Sequence, residues 1–137
     1  MGIKGILEED YELVRKIGEG SSGFVLHARR REDGRDVAIK VIKRGVVMTT
    51  TSASIEAECE VLKLVHSERV VELIDVREDD AYTCVVTEYV PGKNLYKQLS
   101  RRDEGFTELE ALRVVEGVLG ALVYLHERGI AHRDIKL

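Results

Sequence analysis

At 137 residues the chain is long enough for a domain with its own core. Hydrophobic residues at 44% against charged residues at 34% exclude a disordered polypeptide. A formal charge of −4, from 21 Lys and Arg against 25 Asp and Glu, is too mild to predict a nucleic-acid or membrane partner, and no apolar run is as long as a membrane span or signal-peptide core. Ile6 stands where a myristoylation motif wants Ser or Thr, so myristoylation is not expected. From Tyr11 to about Glu88 the pattern is mostly that of strands. Phe24–Ala28 and Val37–Ile42 are β-favouring runs on either side of Asp33-Gly34, a hairpin signal. The run Arg29-Arg30-Arg31 just before that turn reads as a solvated face. Ser54 to Val65 places Ile55, Val61, Leu62 and Val65 at roughly helical spacing. Val70–Val76 and Tyr82–Thr87 make a second strand pair across Glu78-Asp79-Asp80.

After Pro91-Gly92 the period changes. Thr107 and Glu110 form a capping box, and Leu112, Val115, Val118, Leu119, Leu122 and Leu125 follow along one helix face until Gly129 closes it. A sheet-rich part therefore meets a helical part near Glu88 to Gly92, which predicts the α+β class. Cys59 and Cys84 sit in apolar contexts with no CxxC pair, and read as reduced core thiols of an intracellular chain. His27, His66, His126 and His132 form no HxxxH or HExxH pattern, so no metal site is expected.

Gly18, Gly20 and Gly23 form G-x-G-x-x-G in "GEGSSGFV". A dinucleotide site needs a helix directly after the last glycine, and Phe24–Ala28 reads as a strand. A Walker loop needs Gly-Lys-Ser/Thr, which is absent. What remains is a glycine loop joining antiparallel strands, able to fold over phosphates through its amides. Lys40, inside Val-Ala-Ile-Lys-Val-Ile, is expensive to bury unpaired and should have an anionic partner.

Gly18-x-Gly20-x-x-Gly23-x-Val25, then Val37-Ala38-Ile39-Lys40, then His132-Arg133-Asp134 stand in the order of the first protein-kinase signatures. From about Tyr11 to Leu137 the chain resembles a eukaryotic protein kinase of the serine/threonine type. The resemblance implies a first lobe of about five antiparallel strands plus one helix (11–88), a hinge (89–93) and the start of a helical second lobe (94–137). It implies ATP bound by Ile17, Gly18, Glu19, Gly20, Ser21, Ser22, Gly23, Phe24 and Val25. Val25 and Ala38 would sandwich the adenine, Lys40 would contact the phosphates, and Thr87 would be the gatekeeper. The backbones of Glu88 and Val90 would hold the adenine edge, and Asn94 would face the ribose or cap a helix. Among Glu56, Glu58 and Glu60 the partner implied for Lys40 is Glu58, because Glu58-x-x-Val61-Leu62-Lys63 resembles the family helix. Asp134 would orient the substrate hydroxyl and accept its proton, and Lys136 would neutralise the transferring phosphoryl group.

In the family Mg²⁺ is held by an Asn five residues after the catalytic Asp and by Asp-Phe-Gly. Neither is among the 137 residues, so Mg²⁺ is expected only in a completed domain. The implied function is ATP-dependent phosphorylation of protein Ser/Thr hydroxyls, with this chain inactive alone as a fragment. The alternative is a non-catalytic kinase-like binding or regulatory module. The implied partners are ATP and a protein substrate, with no nucleic acid or membrane. Self-association is expected through the helix face Leu112, Val115, Leu119, Leu122 and Leu125, which later helices would cover. The expected location is cytoplasmic, with nuclear residence left open.

Overall fold

A short helix, α1 (Lys4–Leu7), leads into β1 (Tyr11–Gly20), β2 (Gly23–Arg30), β3 (Asp36–Lys43), β4 (Leu73–Glu78) and β5 (Tyr82–Glu88). Helices α2 (Leu95–Leu99) and α3 (Glu108–His126) follow. The computed structural model describes residues 3–20, 23–44 and 59–137, and residues 59–63 are also helical. The strands form one five-stranded antiparallel sheet in the order β1-β2-β3-β5-β4. Contacts divide the chain into two compact units, Met1–Leu64 with Val71–Val90, and Val65–Val70 with Pro91–Leu137.

Side chains alternate across a strand, and β3 follows this rule. Val37, Ile39 and Val41 are buried on one face with Leu7, Tyr11, Ala28, Cys84 and Val86. Ile42 on the other face packs with Cys59 and Val85, so the helical residues 59–63 lie against that face through Cys59. The sheet curls until its edges meet at one end. Tyr11 on β1 donates its hydroxyl to Asp75 Oδ2 on β4 at 3.4 Å, and Arg77 pairs with Asp10 at 2.9 Å. Burial, then the negative charge of Asp75, raises the Tyr11 phenol above its ordinary value.

The β2–β3 hairpin forms where Asp33-Gly34 predicts it, but not as a two-residue turn. Arg30 N–H donates to the Arg35 carbonyl at 2.8 Å, and Gly34, with φ 73°, donates to the Arg30 carbonyl at 2.9 Å. Asp33 accepts from the Arg30 guanidinium and the Arg35 amide, which holds its carboxyl far below the usual carboxylate range. The arginine run is thus tied down locally, with Arg31 Nε donating to the Glu8 carbonyl at 3.0 Å. The second strand pair also begins later than expected. Val70 N–H turns back to Ser67 at 3.1 Å, and β4 starts at Leu73. Apolar Val70 and Val71 look like strand to the eye, yet Val71 is exposed.

Cys59 and Cys84 are buried and unbridged, as expected of core thiols. Burial pushes the Cys84 thiol up to about 11.

In the helical unit Thr107 caps α3 and Glu110 completes the capping box. The Thr107 amide, then Arg102 at 2.8 Å, holds the Glu110 carboxyl at about 2. A carboxylate with a depressed folded value stabilises at pH above its unfolded value of 4.5 and loses that contribution as pH falls through about 2. Acid titration followed by circular dichroism should therefore show α3 of the Glu110→Gln variant less pH-sensitive over that window than the parent. Equal sensitivity of the two proteins would refute the assignment.

The expected apolar stripe needs one correction. Leu112, Val115 and Leu119 are exposed, but Leu122 is half-buried and Leu125 is buried. The exposed line continues through Val123 instead, because the helix turns Leu125 inward. Tyr124 accepts the His66 amide at 2.9 Å, which ties the 65–70 segment to α3. No helix among the described residues is long and apolar enough to cross a membrane.

Candidate active site

Residues directly opposite in an antiparallel ladder share a face. Val25 faces Lys40 and His27 faces Ala38 across β2–β3, while Ala38 faces Thr87 and Lys40 faces Val85 across β3–β5. One face of the sheet therefore collects Val25, Ala38, Lys40 and Thr87, all half-buried. Gly18 lies opposite Val25 on β1 and joins them. The buried Cys59 cluster borders the same face at Ile42 and Val85.

The glycines have different reasons to be glycine. A Cβ on Gly23, with φ +148°, would lie 1.9 Å from the Val41 carbonyl oxygen, so the fold itself forbids a side chain there. A Cβ on Gly18 would make ordinary contact with Val25 at 3.6 Å, and one on Gly20 would meet nothing within 4 Å. Packing makes no demand for Gly20, and the space a side chain would occupy is open. Gly20 and Gly23 pair with each other at the end of the hairpin. Ser21 and Ser22 lie outside the described residues, as do Glu56 and Glu58. Ile17, Glu19 and Phe24 stand on β1 and β2 beside the glycines, with Lys16 bound to Glu19 at 2.8 Å and lying 5.4 Å over the Phe24 ring.

Of the acids considered for Lys40, Glu60 is exposed and bound to Lys63 at 2.6 Å. Its carboxylate is thus engaged at the surface, and Glu58, the partner implied for Lys40, lies outside the described residues. Beyond Thr87, Glu88 N–H is committed to the Glu72 carbonyl at 3.0 Å, and the Glu88 carboxylate accepts the Glu72 amide at 3.0 Å. The Glu88 carbonyl accepts from the Thr87 hydroxyl at 3.4 Å, while Val90 is exposed. Of the two roles open to Asn94, the structure shows the cap: its side-chain oxygen accepts the Lys97 amide at 2.9 Å at the start of α2. His27, a polar residue inside the apolar β2 run, shares this face opposite Ala38.

Asp134 and Lys136 belong to the helical unit. Lys136 Nζ donates to Asp134 Oδ2 at 2.7 Å, with both side chains exposed. That hydrogen bond and charge, with a smaller contribution from His132, lower the Asp134 carboxyl below its ordinary value. His132 Nδ1 accepts the Asp134 amide at 3.2 Å, and Arg133 between them has φ 61°, a left-handed conformation that non-glycine residues seldom adopt. Among the described residues no His, Cys, Asp and Glu side chains gather as a metal site. A 430 Å³ groove opens at the curled end of the sheet, lined by Tyr11, Arg30, Asp75 and Arg77. Its arginines are already engaged, Arg77 by Asp10 and Asp75 and Arg30 by Asp33 at the hairpin turn.

The protein kinase domain family matches residues 11–137. Calcium-dependent protein kinase 4 of Plasmodium falciparum (isolate 3D7) is 31% identical over 132 residues, covering 96% of this chain and 25% of that protein. CBL-interacting protein kinase 25 of Oryza sativa subsp. japonica is 37% identical over 134 residues, 94% of this chain and 26% of that protein. Serine/threonine-protein kinase TIO of Arabidopsis thaliana is 33% identical over 128 residues, 93% of this chain and 10% of that protein. This chain thus spans a quarter or less of the first and last of these, and about a quarter of the second. With the glycine hairpin, the lysine strand and the His-Arg-Asp loop each in place, the chain belongs to the protein kinase domain family.

Proposed function

We propose that the chain carries the nucleotide-binding sheet and the opening of the catalytic loop of a serine/threonine protein kinase. The observation that carries this is the single face on which Val25, Ala38, Lys40 and Thr87 meet beside the open Gly20 backbone. Val25 and Ala38 offer apolar surface to the adenine ring. The small Thr87 leaves depth behind it. The amides of the glycine loop and the Lys40 ammonium meet the negative charge of the phosphates. In the transfer, the substrate oxygen bonds to the γ-phosphorus as the bond from that phosphorus to the ADP oxygen breaks. Asp134, ionised at neutral pH, orients the hydroxyl and takes its proton. Lys136 faces the charge on the transferring group, and a lysine at this position supports the serine/threonine class. Mg²⁺ bound with the nucleotide would supply further charge neutralisation, and among the described residues no carboxylate cluster gathers to hold it. Buried, unbridged cysteines support a reducing, cytoplasmic location.

Two expectations follow. The 137 residues alone, lacking Asp-Phe-Gly and the metal-holding Asn, should move no labelled γ-phosphate from MgATP to a generic Ser/Thr protein substrate above an Asp134→Asn control. Turnover that vanishes in that control would overturn the expected inactivity of the chain alone. The exposed line Leu112, Val115, Leu119 and Val123, 51–61% exposed, should make the isolated chain associate. Size-exclusion chromatography should show elution moving to larger size with concentration, and a monomer at every concentration would contradict this.

A further inference from the structure

His27 extends the glycine face one cross-strand pair beyond Val25 and Lys40, since its partner on β3 is Ala38. Its ring stacks on Tyr89, with centroids 4.2 Å apart and planes 18° from parallel. Nε2 lies 2.8 Å from Asp36 Oδ1 at the start of β3. Nδ1 is buried with no hydrogen-bond partner among the described residues. A leucine or phenylalanine would fill the same place with no orphaned nitrogen. Departures of this kind from the cheapest side chain concentrate where a site requires them.

What the imidazole adds is orientation. The bond to Asp36 limits rotation of the ring, so that it presents a flat face to Tyr89 rather than an edge. Arg29 Nε stands 3.9 Å from the same Asp36 oxygen and steadies that carboxylate from the β2 side. Tyr89 in turn lies between Glu88, whose amide is tied to Glu72, and the exposed Val90. A stack on Tyr89 is therefore a hold on the backbone of both neighbours.

We propose that His27 is a positioning residue: through the Asp36–His27–Tyr89 stack it clamps the segment Glu88–Val90 in the conformation that meets the adenine edge. The adenine part rests on the function proposed above, and the clamp names a residue outside the family's nucleotide contacts.

Hydrogen exchange of the 137-residue chain, resolved to single amides, tests it. In His27→Ala, exchange at the Glu88 amide should rise at least about tenfold while Ile39 and Val86, in the centre of the sheet, keep their protection. His27→Phe keeps a flat ring for Tyr89 but loses the bond to Asp36, so Glu88 exchange should stay at least about threefold above the parent. Unchanged Glu88 exchange in His27→Ala overturns the proposal. So does an equal rise at Ile39 and Val86, which marks a general loss of stability, or full protection in His27→Phe, which would show that the bond to Asp36 adds nothing. MgATP added to the parent separates the clamp from the nucleotide reading. Slower exchange at Glu88 supports both. No change, with the variant pattern intact, upholds the clamp and refutes the assignment of this segment to adenine.

Discussion

Replacing Gly23 by alanine is expected to cost about 3 kcal/mol and to lower the melting temperature by about 10 °C. The cause is local and steric. The new Cβ would stand 1.9 Å from the Val41 carbonyl oxygen and 3.3 Å from Ile42 Cα, both backbone atoms of the central strand. Neither can rotate away as a side chain would, and φ +148° adds its own strain in any L-residue with a Cβ. The end of β2 must therefore lift off β3 where Gly23 pairs with Ile42. Gly20→Ala is the contrasting case. Its Cβ meets nothing within 4 Å, so stability should change by less than about 1 kcal/mol. Nucleotide affinity should nevertheless fall, because the methyl enters the space proposed for phosphate. Thermal melts and ATP titrations of the two variants separate the effects. A Gly23→Ala protein as stable as the parent would refute the steric account.

Lys40→Met is expected to weaken ATP binding at least about tenfold, the equivalent of one lost charge-assisted hydrogen bond, while adenosine binding stays the same. Methionine fills a similar half-buried volume beside Val25 and Val85, so the sheet should remain. The difference between the two ligands isolates the phosphate contribution. Calorimetric titration showing equal losses for ATP and adenosine would point to a damaged fold, and no loss for either would place the phosphates elsewhere. Among the acids, Glu60→Gln should have little effect on phosphate transfer, since Glu60 is spent on Lys63 at the surface. In a preparation that transfers phosphate, a larger loss for Glu60→Gln than for Glu58→Gln would show that the helix register assigned from sequence is wrong.

Much of this was legible in the residues, for physical reasons that differ by element. The alternation in Val37–Ile42 fixes which side chains share a face with Lys40, because a strand has a period of two and leaves no other choice. Thr107 and Glu110 announce the start of α3 through backbone amides that any helix must satisfy. The glycine spacing told of a loop but not which glycine the fold requires, since that depends on how close Val41 passes to Gly23. Long-range closure was illegible for the same reason. Nothing in the local pattern of Tyr11 foretells Asp75, because the approach of β1 to β4 comes from accumulated sheet twist. The helix α1, whose Leu7 is fully buried in the main core, also escaped notice, being too short for any periodicity to register. Leu125 was assigned to the open stripe on spacing alone, and its burial depends on what packs beside α3.

In the proposed site the open backbone at Gly20 and the ammonium of Lys40 together receive the phosphates of ATP. An acyl-phosphate derivative of ATP tests it most directly. A lysine amine beside the phosphates attacks the acyl carbon, forms an amide and releases ATP, so the modified lysine reports where the phosphates lie. Peptide mapping after a short exposure should find the acyl group on Lys40, with labelling suppressed by excess ATP and much reduced in Gly20→Ala. Acylation spread over Lys63, Lys93 and Lys97, unaffected by ATP and with Lys40 unmodified, would contradict the assignment.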